Sequence, residues 1–130
     1  MMLKRFAQIL GVVLLLVGVV GLLLGDQVWL GILNVDIVED IVHLATGALL
    51  AYVGFSGMDL STARSIVLAL GVVYLVVGIL GFVVPMLFGL IPHGYTIFDD
   101  ILHLALGVLG LAVALSAPRG ATEGGRSASA

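Results

Sequence analysis

Asp40-Ile41-Val42-His43-Leu44-Ala45-Thr46-Gly47 returns sixty positions later as Asp100-Ile101-Leu102-His103-Leu104-Ala105-Leu106-Gly107. Each octet sets an acid and an imidazole into an otherwise apolar run. Acid, histidine and glycine stand at i, i+3 and i+7, which puts them on one stripe of a helix turning about 100° per residue. At the same offset Gly11, Gly18 and Gly21 fall on Gly71, Gly78 and Gly81, and Ser56 falls on Ser116, without a gap. A unit of this length with two helical runs reads as a duplicated helical hairpin. Two crossings per unit leave both copies pointing the same way, related by a pseudo-twofold axis along the membrane normal.

Composition supplies the solvent. Of 130 residues 62% are hydrophobic and 10% are charged, against about 25% charged in an average soluble domain. A small water-soluble fold keeps too much surface exposed to hide that much apolar sequence, so lipid is the expected surroundings. The net charge of −3 argues against nucleic acid as a partner. With no cysteine, disulfides, thiolate metal sites and redox dithiols are excluded.

The expected fold class is therefore all-α: a four-helix transmembrane bundle made of two tandem-repeated helical hairpins in parallel orientation. Residues 1–60 form the first hairpin, 61–116 the second, and 117–130 a disordered cytoplasmic tail of small and polar residues. Phe6 to Leu24 is long enough to span a bilayer at about 1.5 Å per residue. No small-x-small cleavage site precedes Asp26, and the segment recurs as Val67 to Val84, so it reads as a retained helix and not a signal peptide. Gly11, Gly18, Gly21, Gly47, Gly71, Gly78, Gly81 and Gly107 are read as points of close helix packing, with Gly25 continuing the first stripe. Trp29 is an interfacial anchor. Asp36 and Glu39 before the second helix, and Thr96 and Asp99 before the fourth, follow the capping-box pattern; Ser61 is the candidate cap of the third. Lys4, Arg5, Arg64, Arg119 and Arg126 are the only basic residues. All fall on the side of the termini and central loop, which makes both termini cytoplasmic in the cell membrane.

Asp40, His43, Asp100 and His103 are the candidate site residues. His43 lies about 10 Å down its helix, where an ionisable group should face the bundle interior and find a partner. As a structural clamp, Asp40 would bond His103 and Asp100 would bond His43, or each pair would close within its own helix. As a metal site, two histidines and two aspartates suit zinc, iron or copper, and paired imidazoles could hold a haem b. The Asp-x-x-His pairs are similar to those of di-iron bundles, but the first and third helices offer only Gln8 in place of the further carboxylates. As a proton or ion conduit, the polar stripe stops too soon, leaving only Thr46, Tyr52 and Tyr74 beyond it. His93, beside Pro92 and Gly94, reads as solvated. The expectation is a non-enzymatic structural or accessory membrane protein without a cofactor. Its partners are membrane lipid and either further copies of itself or a larger membrane complex. A metal- or haem-binding protein using His43 and His103 is the first alternative, and the conduit the second.

The duplicated motif resembles that of a family of small, uncharacterised prokaryotic four-helix membrane proteins, in which each half carries Asn/Asp-x-x-His-Leu-x-x-Gly. Here the resemblance covers roughly residues 5 to 116. It implies the four-helix membrane fold and no particular activity. Relatives often have Asn where this chain has Asp40, which implies that a charge there is not required.

Overall fold

The computed structural model describes residues 1–119. Four helices carry the chain: α1 (Met2–Leu24), α2 (Ile37–Phe55), α3 (Leu60–Val83) and α4 (Ile97–Ser116). Each is long and apolar enough to cross a membrane. The tail beyond 119, with Arg126, lies outside the described residues. One short non-helical element departs from the all-α expectation. An antiparallel ribbon of β1 (Gln27–Trp29) and β2 (Leu33–Val35) joins α1 to α2, in the register Gln27 to Val35 and Trp29 to Leu33. Its turn places Leu30 at φ 53° and Gly31 at φ 73°, with the Ile32 amide donating to the Trp29 carbonyl at 3.1 Å. Two consecutive positive φ angles are what a type I′ hairpin turn requires. The connection from α3 to α4 folds instead as a 3₁₀ turn at Leu87–Gly89.

α1 packs along α2, and α3 along α4. The buried stripe of α1 is Leu3, Ala7, Gly11, Leu14, Gly18 and Gly21; that of α3 is Ala63, Val67, Gly71, Tyr74, Gly78 and Gly81. Both repeat at intervals of three and four, one face of a helix. Leucines, valines and isoleucines such as Ile9, Leu16 and Leu23 cover the outside, where acyl chains would solvate them. The glycines set the helix separation. A Cβ on Gly11 would lie 2.9 Å from the carbonyl carbon of Leu50, and one on Gly47 2.8 Å from the Leu15 amide nitrogen. On the other pair, a Cβ on Gly71 would lie 2.9 Å from the Leu111 nitrogen and one on Gly78 2.8 Å from Leu104. Gly25 is not part of this seam. It ends α1 at φ 74°, with nothing within 4 Å of where its Cβ would be.

The helix ends differ from expectation in three places. α1 begins at Met2, ahead of Phe6, because the Lys4 ammonium is occupied: its Nζ donates to the carbonyls of Val53 and Met58, each at 2.8 Å. Together with Gln8, which donates to the Gly54 carbonyl at 2.9 Å, it satisfies carbonyls that the end of α2 leaves without helical partners. α3 is capped by Asp59 and not Ser61, with the Thr62 amide donating to the Asp59 carboxylate at 2.9 Å. The full capping box closes only on α4, between Thr96 and Asp99. At α2, Asp36 accepts the Glu39 amide at 2.9 Å, but the Glu39 side chain turns inward.

Two tests follow from this packing. Gly47→Val forces a side chain into the α1 backbone and is expected to destabilise the protein by about 1–3 kcal/mol. The measurement is thermal unfolding in detergent, with Gly57→Val, which has open space around it, changing little. The Thr62 hydrogen bonds hold the Asp59 carboxyl below its ordinary range. A depressed folded-state value contributes stability above the unfolded carboxyl range and loses it as the pH falls through the folded one. Asp59→Ala is therefore expected to remove part of the acid-side loss of stability in a pH series.

Candidate functional site

The N-terminal ends of α2 and α4 meet at the end of the bundle that carries the ribbon. Four buried polar residues converge there: Asn34 from β2, Asp36 at the α2 cap, Glu39 in its first turn and Asp99 in the first turn of α4. Asn34 is the hub. Its amide side chain donates to Asp36 Oδ2 at 2.5 Å and to Glu39 Oε2 at 2.9 Å. Its backbone N–H donates to the Asp99 carboxylate, at 3.0 Å to Oδ2 and 3.2 Å to Oδ1. The single hydroxyl hydrogen of Thr96 has two acceptors in reach of Oγ1, the Ile32 carbonyl at 2.5 Å and Asp99 Oδ2 at 2.9 Å. Carboxylates held between donors in this way replace water that the surrounding apolar residues exclude.

Glu39 and not Asp40 faces the imidazoles. Glu39 Oε1 stands 3.8 Å from His103 Nε2, and Glu39, His43 and His103 form a cluster whose ligand atoms all lie within 4.8 Å of one another. The helical spacing explains this. Glu39 and His43 are at i and i+4, neighbours on one face, as are Asp99 and His103. Asp40 is rotated about 100° from Glu39, which turns it toward α1. There Asp40 rests against Gly21, and Asp100 rests in the same way against Gly81: a Cβ on either glycine would overlap the carboxylate Oδ1. Among the described residues no hydrogen bond joins Asp40 to His103 or Asp100 to His43. The glycines thus make room for an acid, and the acids of the motif serve the seam within each helix pair.

His103 is buried between two aromatic rings. Tyr74 stacks on it with centroids 5.8 Å apart, and Tyr95 meets it edge-on at 4.9 Å. The Tyr74 hydroxyl pairs with Thr46 Oγ1 at 2.8 Å. Burial first, and Glu39 second, push the Tyr95 phenol above its ordinary range, so it stays a neutral hydroxyl. His93 is exposed.

A cavity of about 520 Å³ opens beside this cluster. Its floor is apolar, with Leu14 and Leu106 on facing walls, and its roof carries Asn34, Glu39, His43 and His103. Sixty positions from Leu14 and Leu106 in sequence stand Tyr74 and Thr46, which bond each other between α2 and α3.

Reading the repeat for its identities therefore missed Asn34 and Tyr95, and took Thr46 and Tyr74 only as polar residues left beyond the stripe. The signal lay in its differences. Their counterparts at the sixty-residue offset are Gly94, Val35, Leu106 and Leu14, all apolar, and Glu39 replaces Asp99 with one more methylene.

Four apolar helices around such a polar end define a small multi-pass membrane protein. Residues 4–116 match the family described as Domain of unknown function (DUF4383), and the chain belongs to that family. A search of curated proteins finds no match, and a search of solved structures finds none.

Removing one member of the Asn34 network leaves buried groups without partners. Asp99→Ala is expected to cost about 1–3 kcal/mol, read as a lower unfolding temperature in detergent. Asp26→Ala, which removes an exposed contact to the Ile37 amide, should have a smaller effect.

Proposed function

We propose that this chain is a non-enzymatic accessory protein of the cell membrane. Two tandem hairpins in parallel orientation are joined by a polar clamp in the extracytoplasmic half, and both termini are cytoplasmic. The observation that carries this reading is where the pairs α1–α2 and α3–α4 hold each other. Helix packing within each pair is extensive, and packing between pairs is slight. The side-chain hydrogen bonds that cross from one pair to the other gather at the ribbon end and just below it: Asn34 to Asp99, Thr96 to Ile32 and Thr46 to Tyr74. Such bonds are worth about 0.6–2 kcal/mol each in a membrane. Together they fix the register of two units that packing alone holds loosely. The clamp is built from Asn34, Glu39 and Asp99, and His103 joins it through Glu39.

The orientation rests on Lys4, Arg5 and Arg64, which all fall at the end opposite the ribbon. A largely apolar exterior suits assembly with further copies or other membrane subunits. The metal-binding alternative is favoured by one observation, the convergence of Glu39, His43 and His103. A conduit has less support, since Thr46 and Tyr74 bond each other and end the polar run.

The orientation is tested by single cysteines in this cysteine-free chain. A membrane-impermeant maleimide added to intact cells should label Leu30→Cys and spare Met58→Cys; the opposite pattern overturns the topology. The accessory reading predicts a discrete species larger than one copy after crosslinking in native membranes and extraction in mild detergent. A strictly monomeric product would overturn it.

A further inference from the structure

We infer that Glu39, His43 and His103 form a binding site for a divalent transition-metal ion of the zinc class. This goes beyond the clamp, which stands whether or not a metal binds. Two imidazole nitrogens and one carboxylate oxygen are the donor set of many three-residue zinc sites, which keep a further position for water or another ligand. The same set disfavours calcium and magnesium, which take oxygen ligands.

The geometry is close to what such an ion needs. Bonds of about 2.0–2.1 Å in tetrahedral arrangement separate ligand atoms by about 3.4 Å. Glu39 Oε1 and His103 Nε2 already stand 3.8 Å apart, and the full set falls within 4.8 Å. Small side-chain rotations close the difference.

A second observation points to a ligand. His103 is 6% exposed, and its Nδ1 and that of His43 are buried without a hydrogen-bond partner among the described residues. A buried polar atom left this way costs about 1–3 kcal/mol, and with no hydrogen bond holding either ring among the described residues, either nitrogen of each can turn to an ion.

The surroundings hold two of the donors in place. Asn34 Nδ2 occupies Glu39 Oε2 at 2.9 Å, leaving Oε1 directed at His103. Tyr74 and Tyr95 fix the plane of the His103 ring. A divalent ion with one carboxylate and two neutral imidazoles carries a net charge of +1, and the buried carboxylates of Asp36 and Asp99 lie nearby to balance it. All three donors also line the cavity, so a fourth coordination position faces open volume. Asp40 and Asp100, the acids of the repeated motif, lie against glycines and are not ligands.

The test is titration of the full-length protein, in detergent or nanodiscs after chelator treatment, with Zn²⁺ against a chromophoric chelator. Co²⁺ serves as a spectroscopic substitute. One ion per chain is expected, with visible d–d bands for Co²⁺ and an affinity that falls as the pH drops and protons compete for the imidazoles. Glu39→Gln and His103→Gln should weaken binding at least tenfold and alter the Co²⁺ spectrum, while Asp40→Asn leaves both unchanged. Metal-free melting of each variant separates lost ligation from lost fold, and Glu39→Gln keeps an oxygen for Asn34. No saturable binding, affinity unchanged in Glu39→Gln and His103→Gln, or affinity abolished in Asp40→Asn would each overturn the site.

Discussion

An acid buried inside the protein has no water to turn to, and the polar end of this molecule is arranged around that constraint. Asp36, Glu39 and Asp99 are all buried, and each must find its donors inside the chain. Asn34 supplies them through both its side chain and its backbone. To do so it must sit between the starts of α2 and α4, which is where the β-ribbon carries it. The ribbon thus acts as a bracket that delivers one residue to three acids: the Asn34 side chain to Asp36 and Glu39, and its backbone N–H to Asp99.

The two seams of the molecule use opposite chemistry. Within each helix pair, glycines bring backbones together, and dispersion over a long contact supplies the attachment. Between pairs, packing is slight, and directed polar contacts gather at the ribbon end and just below it. Both are specific: each seam glycine faces a particular stretch of the partner helix, and each hydrogen bond has a fixed partner. A two-unit protein gains a defined register by combining them.

Much of this was legible in the sequence. Four apolar runs, the stripes of glycine and the acidic caps before α2 and α4 can all be read from spacing. The depth of the imidazoles also follows from the helix period. Which acid faces them does not, because Glu39 and Asp40 are adjacent and only the direction of the neighbouring helix tells them apart. The motif drew attention to Asp40 by its identity with Asp100, yet that identity reflects a shared fit against Gly21 and Gly81. Asn34 was hidden for another reason. Its role depends on a ribbon of two short strands, and three-residue strands in an apolar connection leave almost no periodic signal. Lys4 looked like an orientation signal alone, and its contacts with the end of α2 depend on how the chain folds back.

The void beside Leu14 and Leu106 also gives the molecule a front and a back in the bilayer plane. On one flank Leu14 and Leu106 line a cavity; on the other, Tyr74 and Thr46 stand at the matching sequence positions and bond each other. Along the bilayer plane, one flank offers an apolar recess and the other a hydrogen-bonded pair. Two copies meeting recess to recess would close on themselves around a twofold axis, whereas recess to opposite flank would leave a free recess at the end of every chain of copies. A few side chains that differ at the sixty-residue offset thus give the protein two unlike flanks along the membrane.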